Sequence, residues 1–137
     1  MPTNLIEIAT GLIDDECGRL LLVRKRGTEW FMQAGGKIEI GETPFSALQR
    51  ELKEEIGLLI DEDQANYLGC FSAPAANEAE CFVEAEVFHI RTHHEPTISL
   101  EIEEALWVTR EEAEELPLAP LTRHYMIPLS QSIGMSA

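Results

Sequence analysis

Basic residues are scarce in this chain. Ten Lys plus Arg stand against 25 Asp plus Glu, a formal charge of −15 over 137 residues. A surface this acidic repels an extended polyanion, so nucleic acid is not an expected partner. Long apolar runs are missing as well. No segment approaches the roughly 18 to 20 apolar residues that span a bilayer, so no membrane association is expected. Met1 to Ile13 lacks a basic stretch followed by a long apolar one, and a cytoplasmic location is the expectation. Cysteine is sparse too. Cys17, Cys70 and Cys81 are odd in number and widely spaced, which argues against a disulfide framework or a paired metal or redox motif. They read as reduced thiols. Internal repeats, low-complexity segments and Gly/Ser/Pro-rich linkers are also absent from the sequence.

What remains is an ordinary globular composition, 45% hydrophobic and 26% charged, in a chain long enough for one buried core. One domain, residues 1–137, is expected. Its acidity also repels a free nucleotide, so a phosphate-handling site here must neutralise its carboxylates with a divalent cation.

Leu5 to Ile13 and Arg19 to Arg26 read as strands joined by the polar turn Asp14-Asp15-Glu16-Cys17-Gly18, a hairpin. Trp30 to Gln33 reads as a short strand ended by Gly35-Gly36, with a loop to Glu42. Thr43 as N-cap, Pro44 at the first helical position and Gly57 as the stop define a helix from Thr43 to Gly57. Tyr67 to Ser72, Cys81 to Ile90 and Ala105 to Val108 read as strands. Arg110 to Glu115 and Leu121 to Ser130 read as helices, the second interrupted by Pro128. A mixed sheet with helices on both faces, an α/β fold, fits this order.

On the central helix Glu51, Glu54 and Glu55 share one stripe, while Phe45, Leu48, Leu52 and Ile56 form an adjacent apolar stripe. Clustered carboxylates repel one another unless a cation sits among them, and hard oxygen ligands suit Mg²⁺, with Mn²⁺ as the alternative. Acidic helix faces also occur as mere solvated surface, as Glu111, Glu112, Glu114 and Glu115 illustrate. Context separates the two cases.

Gly36 to Leu58 reads GKIEIGETPFSALQRELKEEIGL. Gly36, Glu42, Arg50-Glu51-Leu52, Glu54-Glu55 and Gly57-Leu58 stand at the spacing of the Nudix box, and the segment resembles that motif at every fixed position. The resemblance implies the Nudix fold, an α/β/α sandwich around a mixed sheet. It implies hydrolysis of a pyrophosphate bond in a small nucleotide, with water substituting at phosphorus. It implies metal ligation by Glu51, Glu54, Glu55 and the carbonyl of Gly35, with Gly36, Glu42 and Arg50 in support. Family members often draw a further acidic residue from outside the box. Glu101 is the first candidate to activate water and Glu104 the second. Arg24, Lys25, Arg26 and Lys37 lie near the site in any hairpin-plus-loop arrangement, and Arg24 and Lys37 are the favoured phosphate contacts.

Ala34 stands where many relatives carry proline, which predicts a less rigid loop. Leu116 to Leu121 lacks the Asn with which mutator-type members hold the base. Trp30, Phe31 and Phe71 read as core, and His89, His93 and His94 as surface or structural residues. A non-catalytic nucleotide-sensing module is the alternative function, against which the intact box argues. A homodimer is left open.

Overall fold

The sheet is organised around its first strand. In the computed structural model, which describes residues 4–76 and 79–134, β1 (Asn4–Asp14) runs parallel to β6 (Cys81–Arg91) along its whole length, from Asn4 opposite Cys81 to Asp14 opposite Arg91. β5 (Asn66–Pro74) pairs antiparallel with β6 on the far side. On the near side lie β2 (Leu20–Lys25), β3 (Phe31–Met32) and β7 (Ile102–Val108), with β2 paired antiparallel to both β3 and β7. The expected hairpin is confined to its turn. β1 and β2 share one register pair, Asp14 opposite Leu20, and then part.

Into that opening comes β4 (Gly35–Lys37), antiparallel to β1 with Gly35 opposite Thr10 and Lys37 opposite Ile8. This corrects the reading of Gly35-Gly36 as a strand terminator. The glycines are there because the strand has no room for side chains. A Cβ on Gly35 would stand 2.2 Å from the Ala9 carbonyl oxygen. The Ala34 carbonyl accepts from Gly11 N at 3.0 Å and from Thr10 Oγ1 at 2.9 Å, which ties the segment to β1.

The helix α1 (Pro44–Ile56) follows the sequence closely. Thr43 Oγ1 accepts from Ser46 N, Ser46 Oγ accepts from Thr43 N, and Gly57 closes the helix at φ +71°. Ala47, Leu48, Leu52 and Ile56 are fully buried against Ala9 and Ile13 of β1, Leu21 and Val23 of β2, and Phe88 and Ile90 of β6. Alternate residues of the same strands, Leu12, Leu20, Leu22, Ala85 and Val87, face the other way. There they meet Ala113 of α2 (Arg110–Glu114) and Leu121, Met126 and Ile127 of the C-terminal helical segment. The period of two in the strands thus yields an α/β/α sandwich.

The interruption expected at Pro128 is not found. A π-helical turn, Thr122–Met126, runs directly into α3 (Ile127–Gly134), and Ile127 N donates to Thr122 O. The wider turn shifts the backbone register just ahead of a residue that has no N–H and would crowd the carbonyl four positions back. Among the described residues no helix is long and apolar enough to cross a membrane.

Asp14 ties the end of β1 to β6. Its carboxylate accepts from Arg91 at 3.0 and 3.1 Å and pairs with His89 Nε2 at 2.8 Å. Burial acts to raise its pKa, but the hydrogen bonds from His89 and Arg91 outweigh burial and hold it below the ordinary 3.8. A carboxyl depressed on folding contributes stability that is complete above its unfolded pKa and is lost as pH falls through the folded one. Thermal unfolding followed from neutral pH down to about 3 should therefore show stability falling at the acid end. Asp14→Asn should melt lower at neutral pH and lose part of that acid slope; an unchanged melting curve would leave the pair without energetic weight.

Candidate active site

The glutamates of α1 do not share one environment. Glu54 is 56% exposed in its side chain, whereas Glu55 is only 2% exposed. Glu55 is carried on the edge of the buried stripe, where its Oε1 accepts from Gly35 N at 3.1 Å. Burial pushes its carboxyl up to about 7; the Gly35 hydrogen bond and nearby Lys25 oppose this, while Glu51 and Glu101 add to it. Glu51 lies between, its carboxylate stacked on Gly36 so closely that a Cβ there would fall 2.4 Å from Glu51 Cδ. β4 is therefore held between β1 and two carboxylates of α1.

Arg50 holds the cluster in place. Its guanidinium grips Glu42 through two hydrogen bonds of 2.7 and 2.8 Å, donates to Glu51 Oε2 at 2.8 Å and reaches the Lys37 carbonyl at 3.1 Å. The i,i+4 contact with Glu54 is looser, at 3.6 Å. Arg50's hydrogen bonds, with that from the Glu39 amide, hold the Glu42 carboxyl down at about 2. Glu42 and Glu51 in turn raise the pKa of Arg50. Glu42 thus anchors the arginine that orients Glu51, and the two ends of the box are joined by one side chain.

The opposite wall is docked onto the end of α1. Thr97 N donates to Ile56 O at 3.0 Å and Ser99 N to Glu55 O at 3.1 Å. His94 Nε2 meets Ile56 O at 2.8 Å while Trp107 Nε1 donates to His94 O. These bonds give His94 a structural role and bring Glu101 across from Glu51, Glu54 and Glu55 on a cleft of about 480 Å³, with Lys25 and Lys37 also on its walls.

Two sequence expectations need correction. Arg24 is not in the cleft; its guanidinium pairs with Glu104 at 2.9 Å, donates to Thr28 O at 2.7 Å and lies over the Phe31 ring. Glu104 is taken up by the same pair. Both belong to the face that carries Leu20, Leu22 and Leu106, while Leu21, Val23 and Ala105 face α1. By the alternation of β2, Lys25 rather than Arg24 reaches the site. A register shift between Arg24 and Lys25 sets Lys25 opposite Ile102 instead of Glu103, which leaves Glu101 just beyond the strand end and free to face the cleft.

The donor set is all oxygen, three carboxylates on one helix face with a fourth opposite, and fits a hard divalent cation. As the side chains stand, no three His, Cys, Asp or Glu among the described residues converge as a ready-made cation site. Glu51 is held toward Arg50, and Glu54 projects outward. Glu54 is exposed, whereas Glu55 and the β4 backbone are fixed by burial and hydrogen bonding.

Comparison with known proteins extends the motif to the whole fold. A family model described as the NUDIX domain matches residues 6–129. A CTP pyrophosphohydrolase of Escherichia coli (strain K12) is 32% identical over 127 residues, covering 85% of each chain. An 8-oxo-dGTP diphosphatase of Haemophilus influenzae is 41% identical over 63 residues, which span 43% of this chain and 46% of that enzyme. The crystal structure of a MutT protein from Methanosarcina mazei Go1 superposes with a TM-score of 0.78 over 96% of both chains at 22% identity, a likeness of fold. A domain match over most of the chain and a relative aligned along most of its length lead to one conclusion: the chain belongs to the Nudix family and is a Nudix-type hydrolase.

Proposed function

We propose that the cleft hydrolyses a pyrophosphate bond in a small nucleoside di- or triphosphate with the help of a divalent cation, Mg²⁺ or Mn²⁺. The observation that carries this reading is the joining of Glu51, Glu54, Glu55, Glu101, Lys25 and Lys37 on one cleft. Glu51, Glu54, Glu55 and the Gly35 carbonyl are the groups to hold the cation. Bound there, it would offset charge on the phosphate oxygens and lower the pKa of an attacking water.

This chain's own residues supply the rest. Glu55, whose carboxyl burial pushes up to about 7, would be favoured as a carboxylate by a cation held beside it. Arg50, held by Glu42, keeps Glu51 oriented. Lys25 and Lys37 sit where a polyphosphate would lie and shield it from the acidic surroundings. Glu101, on the opposite wall and without a basic side-chain partner among the described contacts, is the group to take a proton from water. The names of two relatives, a CTP pyrophosphohydrolase and an 8-oxo-dGTP diphosphatase, support a nucleoside triphosphate as the first substrate to try. The net charge of −15 favours such a compact ligand over RNA or DNA.

Turnover of the best substrate in a panel of NTPs, dNTPs, oxidised dNTPs and nucleotide sugars should vanish with EDTA and return with excess Mg²⁺. Undiminished hydrolysis after exhaustive chelation would sink the metal-dependent reading. Glu54→Gln should cost roughly 100-fold or more in kcat. Because Glu54 is exposed and outside the apolar stripe, its melting temperature should stay close to that of the parent. A stable variant with full activity would remove Glu54 from the ligand set, and an unfolded one would assign it to the fold.

A further inference from the structure

Beyond the acidic cleft the wall continues as an apolar groove. Lys25, Gly36 and Lys37 line both. From them the surface runs over Ile8, Thr10, Met32 and Val83 to an inner end closed by Gln33, Leu121 and Thr122. A nucleotide whose phosphates lay on Lys25 and Lys37 would send its base along this path.

The inner end is polar in one place only. Gln33 is 5% exposed and Thr122 fully buried. Thr122 Oγ1 donates to Gln33 Oε1 at 2.9 Å, which leaves the amide nitrogen with two hydrogens to donate. Gln33 Nε2 is the single buried side-chain nitrogen or oxygen without a hydrogen-bond partner among the described residues. Buried donors left unpaired are rare, and a polar residue in a tight apolar run is costly unless something comes to meet it. Turning the amide over would only exchange the unpaired donor for an unpaired acceptor, because a threonine hydroxyl can serve either partner.

Resting on the proposed nucleotide hydrolysis, we infer that Gln33, set by Thr122, is the specificity residue of this groove: its amide nitrogen donates to a carbonyl oxygen or ring nitrogen on the edge of the substrate's base. The apolar walls accept the faces of any base. The single donor at the end discriminates among edges, since a base that places no acceptor there leaves the amide buried and unpaired. The π-helical turn is the element that carries Thr122, whose hydroxyl reaches Gln33.

The test compares kcat/KM for ATP, GTP, CTP and UTP in the parent, Gln33→Leu and Thr122→Val. The parent should rank the bases, and Gln33→Leu should compress the spread between best and worst by about 10-fold or more. Thr122→Val should compress it less, and inhibition by inorganic pyrophosphate should move little in either. A Gln33→Leu enzyme that changes all four substrates by one common factor, or none, would overturn the inference and leave a bound water as the partner of the amide. A second readout covers a variant that does not fold or a parent that hydrolyses none of the four. The side-chain amide resonances of Gln33 in the parent, followed by NMR, should shift on titration with at least one nucleoside 5′-monophosphate. Amide signals that none of the four monophosphates moves would reject the base-reading role. A parent inactive on every nucleotide whose Gln33 amide still responds would instead reject the hydrolytic reading and keep the binding one.

Discussion

The arrangement depends on how little space separates β1 from α1. Gly35 and Gly36 pass between them with the Ala9 carbonyl on one side and the carboxylates of Glu51 and Glu55 on the other. An added side chain would strike the β1 backbone at Gly35 and the Glu51 carboxylate at Gly36. The glycines are thus steric requirements first, and the cleft is a consequence. Because the backbone comes so close, a Gly35 N–H can be offered to Glu55, where it opposes part of the upward push of burial on that carboxyl. Leu48, Leu52 and Ile56 lock α1 onto the sheet, so the position of Glu55 is set by core packing and not by its own preferences.

Charge is arranged around this frame in two circuits kept apart by the sheet. On the α1 face, Glu42, Arg50 and Glu51 form one hydrogen-bonded chain. Lys25, Lys37 and Glu101 stand nearby without strong side-chain partners among the described contacts. On the other face Arg24 and Glu104 satisfy each other. Groups that have already found a close partner are poorly placed to serve a substrate; those left over around the cleft are its natural machinery. An excess of acid elsewhere adds to the penalty on any polyanion that is not met by cation and lysine together.

Much of this was legible in the sequence, and the misses share a cause. The helix was defined by its own chemistry: Thr43 and Ser46 cap it, Gly57 ends it, and the apolar stripe has the right period. Glu51, Glu54 and Glu55 follow from the box. Arg24 and Lys25 were not separable, because Leu20 to Val23 is buried on both faces and its composition does not say which face meets α1. The placement of Glu101 depends on a register shift at the end of β2, a tertiary feature with no local signature. β4 went unseen since a three-residue strand containing two glycines has no periodicity to read. Gln33 has one signal in the sequence, a lone amide between Met32 and Ala34 in an otherwise apolar run.

The two glycines offer a direct way to separate steric frame from catalytic geometry. At Gly35 an added methyl would strike backbone, so alanine there threatens the fold. At Gly36 it would strike the free end of the Glu51 side chain, which can swing away while the sheet and helix remain. Mn²⁺ affinity of Gly36→Ala, measured by electron paramagnetic resonance with circular dichroism as the check on folding, therefore reads the wedge alone. The expected result is a folded protein with affinity weakened by roughly 10-fold or more, matching Glu51→Gln. A folded Gly36→Ala that binds Mn²⁺ as tightly as the parent would contradict the claim that the close passage of β4 sets the carboxylate cluster.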